Sequence, residues 1–87
     1  MARIKVAEIG DGLHPSEVVV AVATNDGTEN LVVDRLSLKD NMIEVGAPIR
    51  QHDDLFLVEL PREAMSGTWR VWVHSDNILL EDERVRA

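Results

Sequence analysis

Two short clusters carry the side chains with the greatest capacity for chemistry: His52-Asp53-Asp54 and His74-Ser75-Asp76. Imidazole nitrogen and carboxylate oxygen together can fill the coordination shell of zinc or manganese, so His52, Asp53, His74 and Asp76 form a candidate set for a metal ion or small ligand. Neither spacing is diagnostic of a metal motif. Both clusters also read as turns, where Asp and Ser are expected on other grounds because their side chains cap nearby backbone groups. Asp11, Asp26 and Asp40 lack the regular spacing of a calcium loop and read as solubilising turn residues.

Other chemistries find less support. The chain has no cysteine, which removes disulfides, thiolate metal sites and cysteine nucleophiles together. None of the three histidines stands in a recognisable serine or threonine nucleophile motif, so the residues predict a non-enzymatic protein with no cofactor. Gly10-Asp11-Gly12 begins like a dinucleotide loop, but no helical pattern follows and Asp11 would face the phosphate, so the run reads as a turn. Sixteen acidic against nine basic side chains give a net charge of −7, which repels nucleic-acid phosphate. Phe56, Trp69 and Trp72 are too few rings for an aromatic nucleic-acid surface. The longest apolar run, residues 18–23, is far short of the roughly 20 residues a membrane helix needs. The N-terminal residues alternate charge and hydrophobe rather than forming a signal peptide, and the expectation is a cytoplasmic protein without membrane contact.

The elements that must position any site are strands. A composition of 45% hydrophobic and 29% charged residues is that of a globular chain, and the length predicts one domain over residues 1–87 with a thin core. Residues 3–9 alternate, with Ile4 and Val6 on one face, and Gly10-Asp11-Gly12 ends that strand. Residues 18–24 are apolar on both faces and rich in β-branched side chains, which marks a central strand. Asn25-Asp26-Gly27-Thr28 is a hairpin signal, with Leu31 starting the return strand. Leu31 and Val33 then alternate out of phase with Leu36 and Leu38, a conflict that a bulge at Asp34-Arg35 would resolve.

Lys39-Asp40-Asn41 makes the next turn, and residues 42–47 form a short edge strand with Ile43 and Val45 inward. Residues 54–60 place Phe56, Val58 and Leu60 on one face. Pro61 and Gly67 bracket a single helical turn. Residues 68–74 alternate again, Ser75-Asp76-Asn77 turns the chain, and Ile78-Leu79-Leu80 ends the pattern before a mixed-charge tail at 81–86 that is expected to fray. Residues 17–44 and 53–80 share the order strand, turn, strand, Asp-Asn, apolar pair, a weak hint of duplication that any hairpin protein can show. Short strands joined by tight turns predict an all-β fold of about six or seven antiparallel strands. A small barrel is the first architecture, and a two-sheet sandwich the alternative.

Val73-His74-Ser75-Asp76-Asn77-Ile78, with Trp69 upstream, resembles the part of SH3-like barrels where a strand passes through one helical turn into the final strand. The resemblance implies an SH3-like barrel shape. It does not extend to peptide recognition, because His74 replaces the usual proline, Asn77 replaces the usual tyrosine, and the chain contains no tyrosine to build an aromatic groove.

The two tryptophans lie in opposite phases of one strand. Trp69 shares a face with Val71 and Val73, which gives it the core position, and Trp72 lies with Arg70 and His74 on the other. Either a loop such as residues 61–67 covers Trp72, or Arg70, Trp72 and His74 meet another protein or a second copy of the chain, since Trp and Arg favour interface centres. The apolar strand at 18–23 adds weight to a symmetric dimer, because covering both its faces asks for more apolar surface than a small chain supplies. The function expected is a protein-interaction or self-assembly module, with small-ligand or metal binding as the alternative.

Overall fold

A computed structural model describes residues 2–80; the expectation about the charged tail lies outside them. The described chain runs β1 (Ala2–Lys5), β2 (Ala7–Asp11), β3 (Glu17–Thr24), β4 (Gly27–Asp34), a 3-10 turn (Arg35–Ser37), β5 (Met42–Val45), β6 (Arg50–His52), β7 (Leu55–Glu59), β8 (Arg70–His74), a second 3-10 turn (Ser75–Asn77) and β9 (Ile78–Leu80). All pairing is antiparallel, in three three-stranded sheets ordered β5-β1-β9, β2-β3-β4 and β6-β7-β8. Among the described residues these sheets do not close into a barrel.

The hairpin of β3 and β4 is the longest ladder, paired from Glu17↔Asp34 to Thr24↔Gly27. Its turn residues are Asn25 and Asp26, and the positive φ falls on Gly27, at 125°, a conformation that L side chains rarely adopt. The return strand therefore starts at Gly27, four residues before Leu31, because Gly27 joins the ladder directly. Asp40 and Asn41, at φ of 54° and 60°, form a two-residue turn closed by reciprocal Lys39–Met42 backbone bonds of 3.1 and 2.9 Å. Asp and Asn tolerate this left-handed region better than other side chains. The second Asp-Asn pair, Asp76-Asn77, lies in a 3-10 turn without positive φ, so the two pairs share no backbone conformation.

Several boundaries differ from the sequence reading, each for a physical reason. Residues 3–9 are two strands: the chain leaves the first sheet at Val6, whose N–H donates to the Asn41 carbonyl at 2.9 Å, and β2 joins the second sheet as an exposed edge. Gly10 and Asp11 belong to that strand rather than to a turn, and the bulge sits between Glu8 and Gly10, not at Asp34-Arg35. The phase conflict after Val33 is resolved by ending the strand: the 3-10 turn leaves Leu36 88% exposed, while Leu38 packs on the core. Residues 61–67 form turns and bends with no helix, since their backbone bonds go elsewhere, Met65 N–H to the Asn30 carbonyl and Ala64 N–H to the Thr68 carbonyl, each at 2.8 Å.

One cluster of buried apolar side chains joins the sheets. Ala2, Ile4, Ile43 and Val45 come from the first sheet, Val18, Val20, Val22, Leu31 and Val33 from the second, and Val58, Val71 and Val73 from the third, with Val6, Leu60 and Ala64 between them. Among the described residues no polar or charged residue is buried. A fully buried Val or Leu contributes about 1.5–3 kcal/mol relative to exposure, so this mostly aliphatic set is the main source of stability. Neither tryptophan belongs to it.

Candidate functional site

The third sheet places the candidate residues on its outward face. Since side chains alternate across a strand, the register Arg50↔Leu57↔Trp72 forms one row on that face, His52↔Leu55↔His74 the next, and Glu59↔Arg70 a third. The inward rows, Phe56↔Val73 and Val58↔Val71, carry the core. Leu55, Leu57 and Trp72 are half-buried, while Arg50, His52, Glu59, Arg70 and His74 are exposed. The face is thus an apolar stripe edged by charged and polar groups.

Trp72 lies on the outward face that alternation gave it, whereas Trp69 does not take the core position. Trp69 is 53% exposed: it lies just before the Glu59↔Arg70 pair that ends the β7–β8 ladder, and its carbonyl accepts the Leu60 N–H at 2.7 Å, with Leu60 rather than the indole buried there. Trp72 is half-buried, and its carbonyl accepts the Asn25 N–H at 2.9 Å, so the tip of the β3–β4 hairpin abuts β8. The loop at 61–67 bonds to β4 rather than across the outward face, through Met65 N–H to the Asn30 carbonyl and Ser66 Oγ to Glu29 Oε1 at 2.6 Å.

Arg70 is held from across the ladder by Glu59 of β7, with Nε and Nη2 both 3.2 Å from Oε2. An exposed pair of this kind adds at most about 1 kcal/mol, but it holds the guanidinium on the face that Trp72 shares. The opposite end of the face is acidic: the β6–β7 turn presents Asp53 and Asp54, and Asp76 lies in the 3-10 turn after β8. Ser75 N–H donates to the Asp54 carbonyl at 2.7 Å and ties these two turns together.

That tie brings both sequence-predicted clusters to one end of the sheet. Within them, His52 Nε2 lies 3.6 Å from Asp53 Oδ2, an ion pair only when the imidazole is protonated. Leu55 stands between His52 and His74 in the ladder, which separates the two histidine backbones by two strand spacings, about 9–10 Å. No group of three His, Cys, Asp or Glu side chains positioned to hold a metal ion occurs among the described residues.

Sequence reasoning put Leu55 and Leu57 on the face opposite Phe56, Val58 and Leu60 without making them site residues, and gave Arg50 no strand. Arg50-Gln51-His52 has no apolar alternation and is exposed throughout, so β6 has no hydrophobic signature. The available signal was Asp53-Asp54 directly before an apolar run, a two-residue turn with Asp53 at φ 54° that requires a strand on its near side.

No helix among the described residues is long and apolar enough to cross a membrane. Compared with known proteins, the chain matches no family, no curated protein and no solved structure.

Proposed function

We propose that the chain is a non-enzymatic self-assembly module, pairing with a second copy of itself through the outward face of β6, β7 and β8. The observation that carries this reading is the stripe Leu55, Leu57 and Trp72, left half-open with arginines towards one end and carboxylates at the other. A two-fold axis crossing the strands midway between the Leu57–Trp72 and Leu55–His74 rows lays β8 antiparallel on its counterpart. Each Arg70 then approaches the other copy's Asp76 end, while the apolar rows stack at the centre. An interface related by a two-fold must be self-complementary, and a face with opposite charge at its two ends meets that condition.

Light scattering behind a sizing column tests it. At micromolar concentration the expected particle contains two chains, and Trp72→Ala yields one. Arg70→Asp also dissociates the pair, and adding Asp76→Arg to that variant restores it. A wild-type protein that stays monomeric at every concentration overturns the reading.

For the architecture, the small-barrel reading is supported by three features. The second 3-10 turn stands between β8 and β9, the first and last described strands pair, and all three sheets share one core.

A further inference from the structure

A separate cleft of about 500 Å³ opens where the first and second sheets part, within the range typical of small-molecule sites. One wall is the 3-10 turn after β4, which carries Leu36. Another is β5, which carries Met42 and Glu44, and Arg62 closes the far side. Leu36 and Met42 give the wall an apolar surface. Leu36 is 88% exposed, a position that gains from any apolar group placed over it.

The charges in the cleft run against the rest of the molecule. Arg3, Lys39 and Arg62 line it against Asp34 and Glu44, a basic excess in a chain of net charge −7. Arg3 stands directly opposite Glu44 in the β1–β5 ladder. Lys39 and Arg62 make no ion pair or side-chain hydrogen bond to any described residue, and they come from separate segments of the chain. A bare divalent cation would meet three like charges here. A dianion such as phosphate would meet two carboxylates. A single negative charge on an apolar tail matches both the modest basic excess and the Leu36–Met42 wall.

We infer that this cleft binds small monocarboxylates with an apolar tail, the carboxylate held by Lys39 and Arg62 and the tail lying against Leu36 and Met42. The site lies apart from the outward face of β6, β7 and β8 and stands whether or not that face self-associates.

Amide chemical shifts of the full chain, titrated with octanoate, octanamide and inorganic phosphate, test it. Octanoate is expected to give saturable shifts centred on residues 36–44 and on Arg62. Octanamide, which keeps the tail and loses the charge, should bind roughly tenfold weaker, the equivalent of one charge-assisted hydrogen bond. Lys39→Gln and Arg62→Gln should each weaken octanoate several-fold with amide dispersion preserved, since both side chains are exposed. Trp72→Ala should leave the affinity unchanged. Absence of saturable shifts, equal binding of octanamide, equal binding of phosphate at the same amides, or shifts centred on Trp72 would each overturn the inference.

Discussion

The second and third sheets use the same alternation and leave opposite outer surfaces. In the second, β3 turns Val18, Val20 and Val22 into the core and leaves only Val19, Ala21 and Ala23 outside, residues too small to anchor a partner. In the third, the outer rows carry Leu55, Leu57 and Trp72 between charged neighbours. Apolar content alone therefore does not distinguish a stabilising strand from a recognising one. What separates them is the size of the side chains left outside and the charge around them, since interface centres are built from large rings and arginine rather than from alanine and valine.

Substitutions on the two faces should separate by stability first. Leu31 is fully buried in the second sheet, so Leu31→Ala is expected to lower the unfolding free energy by about 2–5 kcal/mol. Leu57→Ala, on the outer face of the third, should cost the monomer about 1 kcal/mol or less. Urea denaturation at low protein concentration measures both. If Leu57→Ala proves the more damaging, the outer face is a second core and the contrast between the sheets collapses.

The two hairpin turns give a smaller difference. Gly27→Ala places a Cβ at a φ of 125° and should destabilise by about 1–3 kcal/mol. Asp53→Gly, at a φ of 54° that glycine accepts freely, should change stability by less than about 1 kcal/mol. Thermal melts of the two variants at matched concentration suffice.

The faces should also differ in association, with little change in monomer stability. Lysine at Val19, on the outer face of the second sheet, should leave particle mass unchanged. Lysine at Leu57 should reduce it to one chain, because a charge at the centre of an apolar contact loses its water without gaining a partner. Equal loss of association from both variants would move the contact away from Trp72.

How much of this was legible in the sequence follows from what alternation can encode. The β3–β4 hairpin, the Asp40-Asn41 turn and the inward Ile43 and Val45 were readable, because their apolar period and turn chemistry agree. Ile4 and Val6 keep the same period while the chain passes from one sheet to the next, and alternation has no mark for that change. Trp69 shows a second limit: the period assigned it the core side of the strand, yet it is exposed while Leu60, whose N–H donates to its carbonyl, is buried in that row. β6 shows a third, since Arg50-Gln51-His52 is exposed on both faces and pairs through its backbone alone. The stripe became visible only when β6 and β7 were set beside β8, because its rows are formed across strands distant in sequence.

The smallest expected effect concerns the histidine clusters. The ladder puts His52 and His74 on the same face of the third sheet, yet Leu55 lies between them, and among the described residues His52–Asp53 is the one ion-pair contact within the candidate set. A bound metal stabilises the folded state in proportion to how far its concentration exceeds its dissociation constant. Two donors without a third hold zinc weakly, because a zinc site normally takes at least three protein ligands. Zinc or manganese at micromolar concentration should therefore leave the melting temperature of wild type and His52→Ala unchanged and equal. A rise in the wild type that His52→Ala abolishes would make this end of the sheet a metal site. The third sheet would then differ from the second in chemistry as well as in surface.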